Sequence, residues 1–471
     1  MRTLRLAVAG AVLAALGPAT VAHADLGRPD PERPNPAVEA VKDALAGKGG
    51  IDLTLALTDL YAAQPGQVLA RPDGTAPLFG GEPRYPGPGA VLCGAHVCVH
   101  YADRKALLGP DHRPPATDVD KDGVPDWVET TSKVMENVWQ REVGQLSYLA
   151  PLADGARGGD ARLDVYLANI GQQGYYGYAQ PEEDGDGSVS TATAHMVLEN
   201  DFTEFEADPL VSLRATAAHE FFHTVQFAYD VTEQSWLLET TATWMEEQVY
   251  DSVNDNRNFL QASSLRHPET SLDSPDVWYG NWVFFQFVSE RLGREPIREI
   301  WQRAAHSGVG ARLAILRTLA AHGTSLRSTF SRFSASSNVP AKSYEEGRHF
   351  PRATVARTWT LSRATRSTGQ QSVSLNHLSS RDYVFVPGSS LTGAWRLRVR
   401  VEGPSTGTTA YAIVRFRNGS IGRYPIALNR YGNGWGSLRF SHGAVSKVFL
   451  NLGNAYSANG RRVDFSATAS R

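Results

Sequence analysis

Two hydrophobic periods divide the chain. Up to about residue 350, apolar positions recur every three to four residues, the spacing of helices with one buried stripe. Over 127–146 that stripe is Val128, Val134, Met135, Val138 and Val143, with Thr131 filling the same face. The spacing predicts further helices near 209–229, 235–249 and 281–292, more helix to about Ala321, and one N-terminal helix over 51–63 with Leu53, Leu55, Leu57 and Leu60 apolar. Short strands are predicted at 162–167 and 194–198, separated by a Gly/Tyr-rich and acidic loop. After Arg352 the period becomes two: Trp395, Leu397, Val399 and Val401 alternate with Arg396, Arg398 and Arg400. Similar runs near 357–362, 382–386, 408–417, 422–428, 434–440, 446–452 and 461–467, with Gly, Asn and Ser turns between them, predict a β-sandwich.

Composition narrows the class. A chain of 471 residues, 42% hydrophobic and 20% charged, has core enough for more than one domain and is neither intrinsically disordered nor a coiled coil. Its apolar runs stop short of a membrane span, and no nucleic-acid motif is present. Residues 1–24 read as a secretory signal peptide: Arg2 and Arg5 form a basic start, residues 6–16 an apolar stretch, and Ala22-His23-Ala24 a cleavage site. A secreted, extracellular chain beginning at Asp25 is expected. Residues 25–36 are a Pro-rich leader, and 25–84 form an N-terminal region expected to serve as a propeptide, with 71–89 the site of its removal. Cys93 and Cys98 have a local disulfide as their default in that compartment, and a metal-silencing thiol as the other reading. Charge marks the second boundary. Residues 25–350 carry 27 basic and 46 acidic side chains, a formal −19, whereas 351–471 carry 17 and 3, a formal +14.

His219-Glu220-Phe221-Phe222-His223 places two imidazoles four residues apart, on one face of a helix, where both can reach a zinc ion while Glu220 meets a water beside it. Asp208 suits the helix N-cap and Pro209 its first position. Gln226 and Tyr229 stand where a metzincin needs Gly and a third His, which excludes that class. With fifteen residues intervening after His223, Glu239 stands in the carboxylate-bearing run Trp236-Leu237-Leu238-Glu239-Thr240-Thr241-Ala242-Thr243-Trp244-Met245-Glu246. This run resembles the W-L-x-E segment of gluzincin metallopeptidases. Together with the signal peptide and an acidic D-x-D-x-D-G-x-P-D loop, the motifs over about 90–290 resemble a family of secreted bacterial zinc metalloproteases. The resemblance implies an α+β zincin-like catalytic domain over 85–350, of mixed sheet and active-site helices; it does not cover the all-β sandwich over 351–471, which rests on the strand pattern alone. It implies His219, His223 and Glu239 as zinc ligands, Glu220 as general base, Glu246 as a carboxylate behind the ligands, and Tyr279 as a donor to the oxyanion. The expected activity is peptide-bond hydrolysis in protein or peptide substrates. The competing class is a secreted calcium-binding adhesion protein whose zincin domain is inert.

Asp118-Val119-Asp120-Lys121-Asp122-Gly123-Val124-Pro125-Asp126-Trp127-Val128-Glu129 matches a calcium-loop template, with Asp118, Asp120, Asp122, Asp126 and Glu129 offering carboxylates and Val124 a carbonyl. Pro114 and Pro115 leave no incoming helix, so at least one structural Ca²⁺ is expected here as a clamp, not as part of a paired EF-hand. Asp184-Gly185-Asp186 is a weaker second candidate. Gly403-Pro404-Ser405-Thr406-Gly407 spells a nucleophile elbow, but strand-like flanks predict a hairpin turn instead. Met135-Glu136-Asn137 is similar to the end of the segment that binds a free N-terminus in gluzincin aminopeptidases, yet Lys133 replaces its Gly and the stretch is helical, which favours an endopeptidase. The rows Arg396, Arg398, Arg400 and Arg415, Arg417 predict either a solvated face or docking to an anionic cell-surface polymer.

Overall fold

The computed structural model describes residues 36–45, 53–63, 85, 89–104, 111–184, 190–306 and 308–471. The signal-peptide segment, nearly all of the Pro-rich leader, most of the stretch read as a processing site, and Gly185 and Asp186 lie outside them. Among the described residues no helix is long and apolar enough to cross a membrane.

The N-terminal region holds two helices rather than the one expected, α1 (Pro36–Leu45) and α2 (Leu53–Ala63). Pro36, read as the end of the leader, starts α1, the helix position at which its missing N–H costs least. Strands β1 (Gly89–Cys93) and β2 (Val97–Ala102) form a hairpin closed by the Cys93–Cys98 disulfide, with the two cysteines directly opposite in register. Next come α3 (Asp126–Trp139), continued by a π-helical turn over Gln140–Gln145, then β3 (Leu163–Ala168), β4 (Gly177–Asp184) and β5 (Ala192–Glu199). These strands make a mixed sheet of order β1-β2-β3-β5-β4, with β2, β3 and β5 parallel and β4 antiparallel at an edge. The stretch containing β4 was expected to be loop, because Gly177, Pro181 and the acids after it read as punctuation. An edge strand tolerates that proline, since the missing N–H falls on the side facing away from β5.

Helices α4 (Pro209–Asp230), α5 (Ser235–Val249), α6 (Trp282–Leu292), α7 (Glu295–Ala304), α8 (Ala311–Ala321) and α9 (Leu326–Ser336) follow. The last lies beyond the helical stretch that the pattern predicted. One continuous apolar core joins sheet and helices, from Val165 and Leu198 through Phe221, Phe222 and Trp244 to Trp301 and Phe330. A separate cluster joins α2 (Leu53, Leu57, Leu60, Tyr61) to Tyr166, Tyr178, Ala179 and Val197 of the sheet and to Phe227 and Val231 at the end of α4.

The C-terminal part is all β. One sheet runs β11-β10-β13-β8-β6 and the other β12-β9-β14-β7, with antiparallel pairing except between β6 and β8. In chain order the strands are β6 (Arg357–Leu361), β7 (Gln371–Leu375), β8 (Ser379–Pro387), β9 (Arg396–Glu402), β10 (Thr408–Phe416), β11 (Ile421–Pro425), β12 (Asn433–Arg439), β13 (Val445–Asn454) and β14 (Arg461–Ser470). Two expectations change here. The 371–375 run is a strand, and 403–407 is no hairpin turn, because β9 and β10 belong to different sheets. The connection instead carries the chain across the core between the sheets. The first sheet rests against α9, where Ala335 and Val339 pack on Val384, Tyr411, Ile413 and Phe449. Arg381–Glu269 (3.5 Å) and His377–Asp273 (2.7 Å) add polar contacts between the two parts.

Candidate metal centre

Helix α4 begins as its sequence demands. Asp208 accepts hydrogen bonds from Leu210 N (2.9 Å) and Val211 N (3.3 Å), and Pro209 occupies the first turn. Packed against α5, it brings His219, His223 and Glu239 together, with one potential ligand atom of each within 4.8 Å of the others. His219 Nε2 lies 3.3 Å from Glu239 Oε2, and His223 Nε2 lies 3.4 Å from Glu239 Oε1. His223 Nε2 and Glu239 Oε1 make no hydrogen bond, although both residues are fully buried. Unmet buried polar atoms of this kind are costly unless an ion or proton completes them.

The far side of each imidazole fixes which nitrogen is free. His219 Nδ1 faces Glu246 Oε1 at 2.8 Å, a carboxylate that accepts, so a metal-bound ring would keep its proton on Nδ1 and turn the Nε2 lone pair to the ion. His223 Nδ1 faces Gln226 Oε1 at 2.7 Å. The Gln226 amide is oriented by its own donors, which reach Leu238 O (2.9 Å) and Thr241 Oγ1 (3.0 Å), so its oxygen points at His223. Both Nε2 atoms and one carboxylate therefore converge, the donor set of a catalytic zinc site. The residues present fit that metal. Without an ion, burial opposes a charged His219 ring, but the bonds to Glu239 and Glu246 outweigh it and hold its pKa well above the ordinary value. Burial lowers His223 to about 4 and raises Glu246 to about 7.

Glu220 is buried beside the ligands and accepts a hydrogen bond from Thr54 Oγ1 at 3.1 Å. That same oxygen accepts from Ala179 N of β4, also at 3.1 Å. Helix α2 thus lies across the ligand helix and the sheet edge. Tyr279 stacks on the His219 ring, centroids 5.8 Å apart, in a 3₁₀ turn whose Gly280 leaves no room for a side chain against Ala262 O. Glu247, a conceivable alternative ligand, is held elsewhere by Asn256 (2.9 Å). Sequence reasoning assigned no role to two contributors. Gln226 had a legible signal, one helical turn after His223; Thr54 had none, because its partners are distant in the chain.

In the acidic loop, oxygens of Asp118, Asp120 and Asp122 lie within 4.8 Å of one another. Backbone amides of Lys121 (2.7 Å) and Gly123 (3.0 Å) donate to Asp118, and Gly123 takes a φ of 93°, which a side chain would strain. Asp126 accepts from Val119 N (3.1 Å) at the start of α3, and Glu129, one turn on, pairs with Lys133 (3.4 Å). Met135, Glu136 and Asn137 lie within α3. Of the arginine rows, Arg396, Arg398 and Arg400 project outward together. Arg415 lies instead on the half-buried end of β10, and Arg417, beyond that strand, donates to His442 O (2.6 Å).

Comparison with known proteins gives a match over residues 202–314 to a family described as "Family of unknown function (DUF6055)". That span includes all four residues of the zinc motif and Tyr279. No curated protein matches the chain. Among solved structures, the chain is similar to a periplasmic inhibitor of g-type lysozyme from Aeromonas hydrophila, with 15% identity over 24% of this chain and 98% of that one, at a TM-score of 0.17. It is also similar to an endo-1,4-β-D-xylanase of Clostridium thermocellum (12% identity, 22% of this chain and 24% of that one, TM-score 0.13). A 4-O-methyl-α-glucuronidase acting on decorated arabinogalactans is 9% identical over 56% of this chain and 38% of its own length, TM-score 0.16.

Proposed function

We propose that this protein is a secreted, zinc-dependent endopeptidase of the gluzincin type, with a zincin-like fold in its α/β part. The observation that carries the reading is the convergence of His219 Nε2, His223 Nε2 and the Glu239 carboxylate beside Glu220. Zinc held by these three residues supplies Lewis acidity, polarising the scissile carbonyl and activating water near neutral pH. Glu220 takes the proton from the attacking water and returns it to the leaving amine. Glu246 and Gln226 hold the two imidazoles in the ligating tautomer. Tyr279, stacked against His219, donates to the oxyanion. With α2 removed, the outer side of β4, including Ala179 N now held by Thr54, would offer backbone groups to an extended peptide, as sheet edges do in strand-adding recognition.

Residues 25–84 act as a propeptide in this reading. The Thr54 hydroxyl ties together the general base and an edge-strand amide that a substrate carbonyl would otherwise reach. Calcium at Asp118, Asp120 and Asp122 secures the entry to α3.

Cleavage of casein or a peptide library by the processed protein, with and without a zinc chelator, tests the activity. Full zinc occupancy without hydrolysis, and no change on Glu220→Gln, would leave the inert adhesion protein as the better account.

A further inference from the structure

The +14 charge of residues 351–471 could arise from attraction to the acidic α/β part, yet the clearest arginine row does not face that part. The sandwich meets α9 through the outer face of the sheet containing β8, β10 and β13. Strand β9 lies in the other sheet, where Leu397, Val399 and Val401 point into the core and Arg396, Arg398 and Arg400 point out to solvent. Successive outward positions on a strand are about 7 Å apart, so the three guanidinium groups form a ladder. None of them has a carboxylate partner among the described residues. Arg396 is steered by Ser437, whose hydroxyl accepts from its Nε at 2.7 Å.

Register fills the rest of the face. Across β12, Trp435 stands opposite Arg400, Ser437 opposite Arg398 and Arg439 opposite Arg396. Across β14, Ser466 and Thr468 stand opposite Arg400 and Arg398. The outer face thus carries a central cationic row, small hydroxyls of β14 on one side and an indole on the other, and it ends beyond Arg400 at Glu402, which stands opposite Asp464. Trp435 is 73% exposed on this outer face, while its neighbours Gly434 and Gly436 are turned to the opposite face, against Ala427, Leu428 and Ile426.

We infer that this outer face of the β12-β9-β14 sheet is a binding site for an acidic polysaccharide. Arginine is suited to this role, because its planar fork pairs two hydrogen bonds with a carboxylate or phosphate and stays charged at every working pH. Hydroxyls of Ser466 and Thr468 match the hydroxyl-rich flank of a sugar chain. The single broad indole offers an apolar plane to a sugar ring, a surface that an acidic polypeptide would leave unused. Single-stranded nucleic acid stacks successive bases on several aromatic residues, and this face has one. The site is independent of the metal centre, so its existence does not depend on peptidase activity.

Binding of the full-length protein to polygalacturonate, neutral dextran, polyglutamate and single-stranded DNA tests the proposal. Polygalacturonate should bind at low salt, weakening about tenfold or more as salt reaches physiological strength and screens the charges. The triple variant Arg396→Ser, Arg398→Ser, Arg400→Ser should lose that binding at least about tenfold with an unchanged melting temperature, because all three side chains are exposed. Trp435→Ala should weaken polygalacturonate several-fold while leaving any residual polyglutamate binding as it was. Three results would overturn the proposal: no polygalacturonate binding even at low salt, equal binding by the triple variant, or tighter binding of polyglutamate or DNA than of polygalacturonate. Equal affinity for dextran would overturn the acidic assignment.

Discussion

Alanine at His219, His223 or Glu239 is expected to abolish stoichiometric zinc in metal analysis, since each removes a ligand from a set of three. Glu220→Gln should retain zinc and lose about 10²- to 10⁴-fold in turnover, because that carboxylate moves a proton rather than holding the metal. Gln226→Ala and Glu246→Gln should weaken zinc about 10- to 100-fold by releasing the imidazoles they orient, which a chelator competition would measure. Of these residues the sequence placed His219 and His223 on one helix face by periodicity alone, whereas Glu239 came from the resemblance. The groups behind them were less plain: Glu246 came from resemblance, and Gln226, although one helical turn after His223, has its amide orientation set by Leu238 O, which lies on the next helix.

At the scale of elements, α2 carries a sharp expectation. If Thr54 and its helix block Glu220, full-length protein should hydrolyse peptides far more slowly than protein freed of residues 25–84. Leu57→Asp with Leu60→Asp in the full chain should recover activity and also speed zinc extraction by chelator, because both leucines are buried where α2 seats. Equal rates for the two forms, with active full-length protein from culture retaining Asp25, would exclude a propeptide. The acidic loop makes a second expectation. Calcium added to metal-stripped protein should raise the melting temperature, by about 2.7 kcal/mol of stabilisation at a hundredfold excess over Kd, and Asp120→Ala should cancel the rise. The elements that sequence reasoning missed share a cause. Strand β4 gains its regularity from pairing with β5, which no local pattern encodes. Helix α9 is serine-rich, yet Leu326, Phe330 and Phe333 keep one buried face, and the sandwich packs beside it. Long, strongly periodic α4 and α5 were legible almost to the residue because propensity, capping and burial agree there.

Across the whole molecule the charge break falls between α9 and β6, where helices give way to strands, and it says nothing of what is buried nearby. Asp382 is buried there, accepting from Asn338 and from Asn451 (3.0 Å). Burial raises its pKa to about 7, the two asparagines pulling the other way. Between the unfolded carboxylate value of 3.8 and about 7, only the folded chain keeps a proton on Asp382. Its contribution to stability is therefore fully present below that window and is lost as pH rises through it, by at most about 4 kcal/mol. Asp382→Asn should flatten this part of the profile, with a larger advantage over the parent chain at mildly alkaline than at mildly acidic pH, measured by denaturant unfolding. The apolar wall shared by α2, Tyr178, Ala179, Phe227 and Val231 bears on biogenesis as well as on activity. If the segment is removed as proposed, that wall would be left bare, and a chain synthesised without it would have to collapse around an unfinished surface. The segment would then be a template, needed once and afterwards dispensable. Refolding of the shortened chain should give more native protein when the segment is supplied in trans, and the product, unable to regain its fold alone, would persist by the height of its unfolding barrier rather than by equilibrium.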